Sequence, residues 1–484
     1  MVVATAVVVP IVLTSHGGGS TNTAGGKGSQ TTSGGNSYSR PTGTAWQAPG
    51  NDLGQYNNGY GPLSYANDMI VTTDVSVTAF ERDNGKKLWQ VAPPVAGQVI
   101  CGLTRTIAND ALGIAFGPTN GEPNLANCAS VGLLNLKTRQ YAWTKPLPQT
   151  DPAGLPDPTG ASMAFAGTSV FVGSSSNFTQ FAVADGTVQS SSAFTNGNNS
   201  CEVSDIAAST SSVYVLGTCL GLGPSYYTVG EVDATDAKLI AVNPIQAADV
   251  KLPIDPSSTG GESGLAAFVS LSPLVLVLHS NVGTNAFYGA LVGLTDALKV
   301  SWSDVQTTGD PKGLDLTTDQ SSILTDGLHD YNRATVSGNT VYLVTTFYVE
   351  DASGDGGGGY YANKVAAVDA TTGKQRWETG VPGVGFSAAV GVDGTTVYAV
   401  GETVGRPADT ENPDLVLGKF DANSGKLLGA VHQKISISGA GMTLPAEAAL
   451  EYCQFIMADG RAYGSTTRKP LQIGMGYPQV FSVG

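Results

Sequence analysis

Apolar and polar positions alternate along most of this chain, and one kind of turn interrupts the alternation repeatedly. In the clearest copies, residues 79–89 and 366–377, a short apolar strand runs into Asp-Asn-Gly or Asp-x-x-x-Gly, and a second strand ends at a tryptophan. The acid can accept hydrogen bonds from the turn's own backbone, and glycine supplies the positive φ. The pattern predicts a β-hairpin whose last strand is held by a large packed ring.

Tryptophan marks this motif throughout the chain. All five tryptophans end a copy of it: Trp46, Trp89, Trp143, Trp302 and Trp377. Three further copies, at residues 181–189, 229–240 and 417–429, lack the tryptophan. In two copies Arg139 and Leu298 replace the turn glycine, and we expect longer or distorted hairpins there.

A second series of signals interleaves with the first. A turn followed by an apolar, β-rich run starts at Ala66, Asn109, Ala166, Thr210, Ser272, Ser337, Asp393 and Asp459. Each run except the last is followed by one copy of the hairpin motif. The series predicts an all-β, eight-bladed β-propeller of four-stranded antiparallel blades, with seven blades as the alternative. We expect the strand at Trp46 to complete the last blade, formed by residues 449–484, and so to close the ring.

The repeat resembles that of the PQQ-like β-propeller family, whose blades carry an Ala-x-Asp-x-x-x-Gly-x-x-x-Trp signature. The best matches are residues 79–89 and 367–377, and the resemblance covers residues 41–484. By blade count the chain is also similar to the propeller lipoprotein family of the bacterial outer-membrane assembly machine. The motif is specific for the fold and says little about activity, because propellers host many functions.

Composition and charge narrow the choice of partners. The chain has 484 residues, 24 Lys and Arg against 39 Asp and Glu, and a net charge of −15. So few basic residues argue against a surface that follows a phosphate backbone, and we expect no nucleic-acid partner. The 63 Gly and 25 Pro favour a turn-rich protein. We expect residues 44–484 to form a closed propeller that is a single domain and a monomer.

The N-terminal segment differs from the rest. Residues 2–13 are apolar but too few to span a bilayer, and no Lys or Arg precedes them. Residues 1–16 are therefore interpreted as the remnant of a membrane anchor or signal segment, with a frayed hydrophobic terminus as the alternative. Residues 17–43 form a flexible linker by composition. We expect an extracytoplasmic protein, secreted or tethered to the bacterial cell membrane through this segment alone.

Cysteine positions agree with an oxidising compartment. Cys101 and Cys128 bracket one predicted hairpin, and Cys201 and Cys219 bracket another, so two disulfides are predicted, with buried free thiols as the alternative. Cys453 lies in an apolar stretch and is interpreted as a packed core thiol.

Signatures of catalysis are scarce. The sequence has no GxSxG, HExxH, P-loop or CxxC motif, and its four histidines are far apart. The quinone-dependent enzymes with a PQQ-like propeller carry two adjacent cysteines that pack against the cofactor. This chain has no such pair, so no cofactor and no enzymatic activity are expected.

Two insertions supply the candidate binding residues. Residues 327–334 gather His329, Asp330, Tyr331 and Arg333, a composition typical of a binding surface, although Asp330 and Arg333 could instead pair and cap the loop. Residues 349–364 contain three acids, Glu350, Asp351 and Asp355, which calcium could use. They lack the regular spacing of an EF-hand, so a solvated hairpin tip is favoured and no metal site is predicted.

These observations favour a non-catalytic, membrane-tethered propeller that acts as a binding or scaffold module for a protein, a peptide or an envelope glycan. Two alternatives remain: the ligand-sensing ectodomain of a larger signalling protein, and a quinone-dependent or hydrolytic propeller enzyme.

Overall fold

A computed structural model describes most of the predicted propeller. The described residues are 47–48, 59–73, 75–118, 128–148, 161–209, 212–219, 226–250, 266–282, 286–307, 334–349, 360–403, 414–434, 438–439, 453–466, 475–476 and 480–484. They form 35 β-strands and one four-residue helix, Ala247–Val250. The chain is therefore all-β, as its alternating pattern predicts.

Most of the strands form eight antiparallel sheets, here called blades 1–8, each with strands a to d. Blades 1–4 contain Gly59–Tyr65, Asp68–Thr73, Val77–Glu81 and Lys87–Val91; Gln98–Leu103, Ala111–Pro118, Ser130–Asn135 and Gln140–Pro146; Ser162–Ala166, Ser169–Ser174, Asn177–Ala182 and Val188–Ala193; and Asn199–Ala208, Ser212–Cys219, Tyr226–Asp233 and Leu239–Ile245. Blades 5–8 contain Ala266–Leu271, Leu274–Val282, Ala286–Leu294 and Val300–Thr307; Ala334–Ser337, Thr340–Val349, Tyr360–Asp369 and Gln375–Thr379; Val384–Asp393, Thr396–Thr403, Asp414–Asp421 and Leu427–Lys434; and Cys453–Ala458, Arg461–Thr466, Val480–Val483 and Gln47–Ala48. A further strand, Thr195–Asn196, joins blade 4, and Ser438–Gly439 pairs with Met475–Gly476.

The blades form a closed ring around their first strands. From blade 2 to blade 8 each strand a lies beside strand a of the next blade, and strand a of blade 8 lies beside strand a of blade 1. Blades 1 and 2 share an apolar core that includes Ile70, Val77, Ile100 and Leu112. The prediction of eight blades is confirmed, and the seven-bladed alternative is excluded.

The two ends of the propeller meet in blade 8. Its outermost strand, Gln47–Ala48, pairs with strand c through Gln47 opposite Phe481 and Ala48 opposite Val480. The predicted closure by an N-terminal strand is therefore confirmed, although Trp46 itself lies outside the described residues. The strand covers an edge that blade 8 would otherwise expose.

The turn between strands c and d has the geometry that the motif predicts. In blade 6 a carboxylate oxygen of Asp369 accepts hydrogen bonds from the backbone of Thr371 and Thr372, at 3.0 and 2.9 Å. Gly373 closes the turn with a φ of 69°. The Arg376 guanidinium, 2.6 Å away, and the hydrogen bonds from Thr372 and Thr371 hold the pKa of Asp369 below its ordinary value.

Tryptophan in one blade docks on the turn of the next blade. The indole Nε1 of Trp143 donates to the carbonyl of Val183, that of Trp302 to Ala370, and that of Trp377 to Ala422, at 2.8, 3.0 and 3.0 Å. Each acceptor directly follows strand c of the neighbouring blade. The motif thus joins blades to each other, beyond the hairpin in which it lies.

The turn glycine is needed both for the turn itself and for the docking of the neighbouring tryptophan. The tryptophan rings lie against Gly186, Gly373 and Gly425, and a Cβ at any of these glycines would overlap the ring. All three also have a positive φ, at 71°, 69° and 69°. Glycine is therefore required here twice, by backbone conformation and by the neighbouring ring.

The two tryptophan-bearing copies without the turn glycine were expected to form longer or distorted hairpins. Arg139 adopts a φ of 61° in a turn of ordinary length, and its guanidinium lies 6.0 Å from the centroid of the Trp89 ring. Leu298 adopts a φ of 59° in a turn one residue shorter, since Leu294 pairs with Val300. Neither hairpin is longer than the others, so that part of the prediction is wrong, whereas the shortened Leu298 turn is an irregular hairpin as the other part allowed. Both side chains pack against the preceding blade.

The ring closure gives a first testable prediction. Deleting residues 1–50 removes the outer strand of blade 8 and should lower the melting temperature of the whole domain. Deleting residues 1–35 leaves that strand in place and should not change the melting temperature. Thermal melts of both truncated proteins check this, and equal melting temperatures would contradict the role of the closing strand.

Tryptophan docking gives a second prediction. Trp377→Ala should reduce the free energy of unfolding by about 3–5 kcal/mol, because it empties a buried site between blades 6 and 7. Trp377→Phe keeps much of the ring but loses the indole hydrogen bond, and it should cost less. The exposed Lys374→Ala, in the same hairpin, is the control. Denaturant unfolding measures all three, and equal losses for Trp377→Ala and Lys374→Ala would refute the docking role.

Candidate functional site

The strand order divides the connections between two faces of the ring. Because the strands are antiparallel, the a–b and c–d turns leave one face, here called the turn face. The b–c connections and those from strand d to the next strand a leave the opposite, loop face. Connections on the turn face span at most the seven residues 104–110, whereas those on the loop face extend to residues 308–333.

The binding residues predicted from sequence belong to the loop face. His329, Asp330, Tyr331 and Arg333 lie outside the described residues, in the connection from strand d of blade 5 to strand a of blade 6. They therefore remain a prediction.

The acidic insertion belongs to the same face of the ring. Glu350, Asp351 and Asp355 also lie outside the described residues, between strands b and c of blade 6. Both insertions identified in the sequence thus connect to blade 6 on the loop face. The calcium alternative stays untested.

The two predicted disulfides are present. Cys101 is bonded to Cys128, with Cα atoms 5.9 Å apart, and Cys201 is bonded to Cys219, which is its cross-strand partner. Both bonds are compatible with an extracytoplasmic location. The side chain of Cys453 lies outside the description, so its assignment as a packed thiol remains a prediction.

Both disulfides join strand a to the end of a b–c connection. Cys128 follows residues 119–127, and Cys219 precedes residues 220–225. Cys101 is the extra residue of a β-bulge, which lies between Ile100 and Gly102. The inner strands of blades 2 and 4 are thereby tied to the loop face.

A buried carboxylate at the centre of the ring was not anticipated from the sequence. Asp205, on strand a of blade 4, is fully buried. One oxygen accepts from the Ser162 hydroxyl at 3.0 Å, and the other accepts from the Phe268 backbone N–H and the Arg105 guanidinium, both at 2.8 Å. These partners come from blades 3, 5 and 2. A single side chain therefore links four consecutive blades.

The geometry of this cluster indicates a structural role. Ser162 also accepts a hydrogen bond from the backbone N–H of Ile206, at 2.9 Å, and Arg105 donates to the carbonyl of Phe268 at 3.4 Å. The Arg105 side chain is 30% exposed, so the pair is only partly shielded from water. The only sign of this cluster in the sequence is Asp205 itself, one acid in the otherwise apolar end of a strand that should line the centre of the ring. That position alone does not reveal the partners.

The acids with a lowered pKa in the described part of the chain all lie in c–d hairpins. Hydrogen bonds from Thr187, Thr235 and Ser424 lower the pKa of three further turn acids, Asp185, Asp233 and Asp421. Burial raises the pKa of Asp304, on strand d of blade 5. The lowered values arise from turn geometry and do not mark an acid–base site. The described residues include no group of three or more His, Cys, Asp or Glu placed to hold a metal ion.

Comparison with known proteins adds little to this picture. No family model and no curated protein matches the chain, so the resemblance to PQQ-like repeats stays a prediction. Among 548 matching chains of solved structures is a crystal structure of a eukaryotic initiation factor. It is 10% identical, covers 82% of this chain and 90% of its own, and has a TM-score of 0.38. A likeness this loose supports no statement about function.

Within the described ranges, no helix is both long enough and apolar enough to cross a membrane.

The Asp205 cluster gives a third prediction. Asp205→Ala should lower the free energy of unfolding by about 3–5 kcal/mol, because Arg105 and a buried backbone N–H lose their shared acceptor. Arg105→Ala should cost less, since this side chain is partly exposed. The exposed Asp83→Ala is the control and should change stability by only about 0.5 kcal/mol. Urea unfolding measures these values, and an Asp205→Ala loss equal to the control would contradict the linking role.

Proposed function

We propose that this protein is a non-catalytic, extracytoplasmic binding or scaffold module that captures a protein, a peptide or an envelope glycan on its loop face. Residues 1–16 tether it to the membrane, and residues 17–43 act as the spacer. The proposal rests mainly on one observation, the unequal length of the connections on the two faces. Long connections on a rigid scaffold are where proteins commonly place recognition residues.

Two further observations support this choice of face. Every tryptophan contact described above involves a hairpin of the turn face, so substitutions there disturb the packing between blades. None of these tryptophan contacts involves the described residues of the loop-face connections. The disulfides of blades 2 and 4 also brace the inner strands where this face begins, which reduces the conformational entropy lost on binding.

The test is a matched pair of quadruple variants. Replacing His329, Asp330, Tyr331 and Arg333 with alanine should abolish capture of partners from an envelope extract while the melting temperature stays unchanged. The control replaces four exposed residues of the turn-face hairpins with alanine: Asp83, Lys86, Lys374 and Lys426. It should retain capture, as measured by mass spectrometry and glycan analysis of the bound fraction.

Three results would contradict the proposal. Full capture by the loop variant would show that the binding site lies elsewhere. Loss of capture by the control would show that it lies on the turn face. Oxidation of an alcohol or sugar by the purified protein, supplied with quinone and calcium, would favour the enzyme alternative.

A further inference from the structure

A buried arginine lies where the last blade meets the first. Arg461 is the first residue of strand b in blade 8, and only 7% of its surface is exposed. Its Nη2 atom is buried and has no hydrogen-bond partner among the described residues. Arginine stays protonated at any ordinary pH, so this group cannot avoid the cost of burial by losing its proton. A positive charge buried in this way calls for an acceptor.

A second guanidinium increases the positive charge at the same junction. Arg82, in the c–d turn of blade 1, is 9% exposed and pairs with Asp459 of the blade 8 a–b turn at 3.1 Å. Asp459 lies two residues before Arg461, and its own side chain is 72% exposed. Both positive charges act on the buried Tyr463. Burial raises the pKa of this side chain, and the charges of Arg461 and Arg82 oppose that rise. The acids Asp459 and Asp83 act in the opposite direction.

The other blades show what this position ordinarily faces. The first residue of strand b pairs with the last residue of strand c, and in blades 4, 6 and 7 that partner is an aspartate: Asp233, Asp369 or Asp421. In blade 6, Asp369 forms an ion pair with Arg376, and a second nitrogen of the Arg376 guanidinium donates a hydrogen bond to the Thr340 hydroxyl at 2.8 Å. A carboxylate and an arginine therefore meet at this level of the blade.

Blade 8 has the arginine without the matching acid. Ala462 pairs with Val483, which sets Gly484 beside Arg461, and a Cβ at Gly484 would lie 3.2 Å from both Cα and Cγ of Arg461. Glycine offers no carboxylate side chain. Arg461 thus has no acidic side chain opposite it at the position where four other blades place one, Glu81 of blade 1 being the fourth.

We propose that Arg461, supported by Arg82, binds one small monovalent anion, chloride or a carboxylate ion, at the junction of blades 8 and 1. The anion accepts a hydrogen bond from Nη2 of Arg461 and supplies the charge that Asp369 supplies in blade 6. Arg461, Arg82 and Tyr463 are each more than nine-tenths buried, which restricts the site to small ions. Because this junction closes the ring, the bound anion stabilises the folded propeller. The site is independent of the binding function proposed for the loop face.

The experiment measures thermal stability of the full chain at constant ionic strength while chloride or formate replaces the bulky anion gluconate. The wild-type melting temperature should rise and then saturate with either small anion. Arg461→Met removes the buried charge and keeps an apolar side chain of similar length. This variant should melt at least as high as the wild type in gluconate and should show no response to chloride or formate.

The matched control is Arg376→Gln, which removes an exposed arginine that already has a carboxylate partner. It should respond to chloride and formate as the wild type does. Crystals soaked in bromide give a second readout that needs no variant, with an anomalous peak expected at hydrogen-bond distance from Nη2 of Arg461. Absence of that peak, or an equal response of wild type and Arg461→Met to chloride, would overturn the proposal.

Discussion

The contact between a tryptophan and the hairpin of the next blade is the interaction on which this ring depends. A propeller must hold neighbouring sheets together mainly through side chains, because the sheets share no continuous backbone ladder. Single backbone hydrogen bonds between blades, such as that from Ala161 N–H to the Cys101 carbonyl at 3.1 Å, add to these contacts. Trp143, Trp302 and Trp377 each provide a buried ring and one directed hydrogen bond to the following blade. Because the acceptor is a backbone carbonyl fixed by the turn, each hairpin sets the position of the ring that docks on it.

The side chain at the tryptophan position changes in size from blade to blade, and in one pair of blades the next turn compensates for the change. From blade 1 to blade 7, the tryptophan position is occupied by Trp89, Trp143, Ser190, Ala241, Trp302, Trp377 and Gly429. Where blade 4 has the small Ala241, the next turn has the larger Leu298 in place of glycine, and the two pack in one cluster. Blade 8 has no c–d hairpin, because its outer strand is Gln47–Ala48, and the preceding blade accordingly has Gly429 with open space around it.

The fold could be predicted from sequence because its signals are local and repeated. In the clearest copies a strand, an Asp-to-Gly turn and a tryptophan lie within about a dozen residues. Seven copies of the hairpin, four of them with the tryptophan, leave few architectures to consider. Contacts between distant residues left no such signal. The fit of Arg139 on Trp89 depends on a ring 50 positions away, and Asp205 has partners in three other blades. The candidate loop residues could be proposed from composition, but composition does not define geometry.

The same docking contacts explain why recognition is better placed on one face than on the other. On the turn face, each hairpin residue that touches a neighbouring ring is constrained in φ, in volume, or in both, as Gly186 and Gly373 show. A sequence change there alters the joint between two blades. The described ends of the loop-face connections take no part in these tryptophan contacts, and the disulfides of Cys128 and Cys219 hold two of those ends in place. Under the proposed function, ligand-binding residues on that face can therefore change without altering these joints.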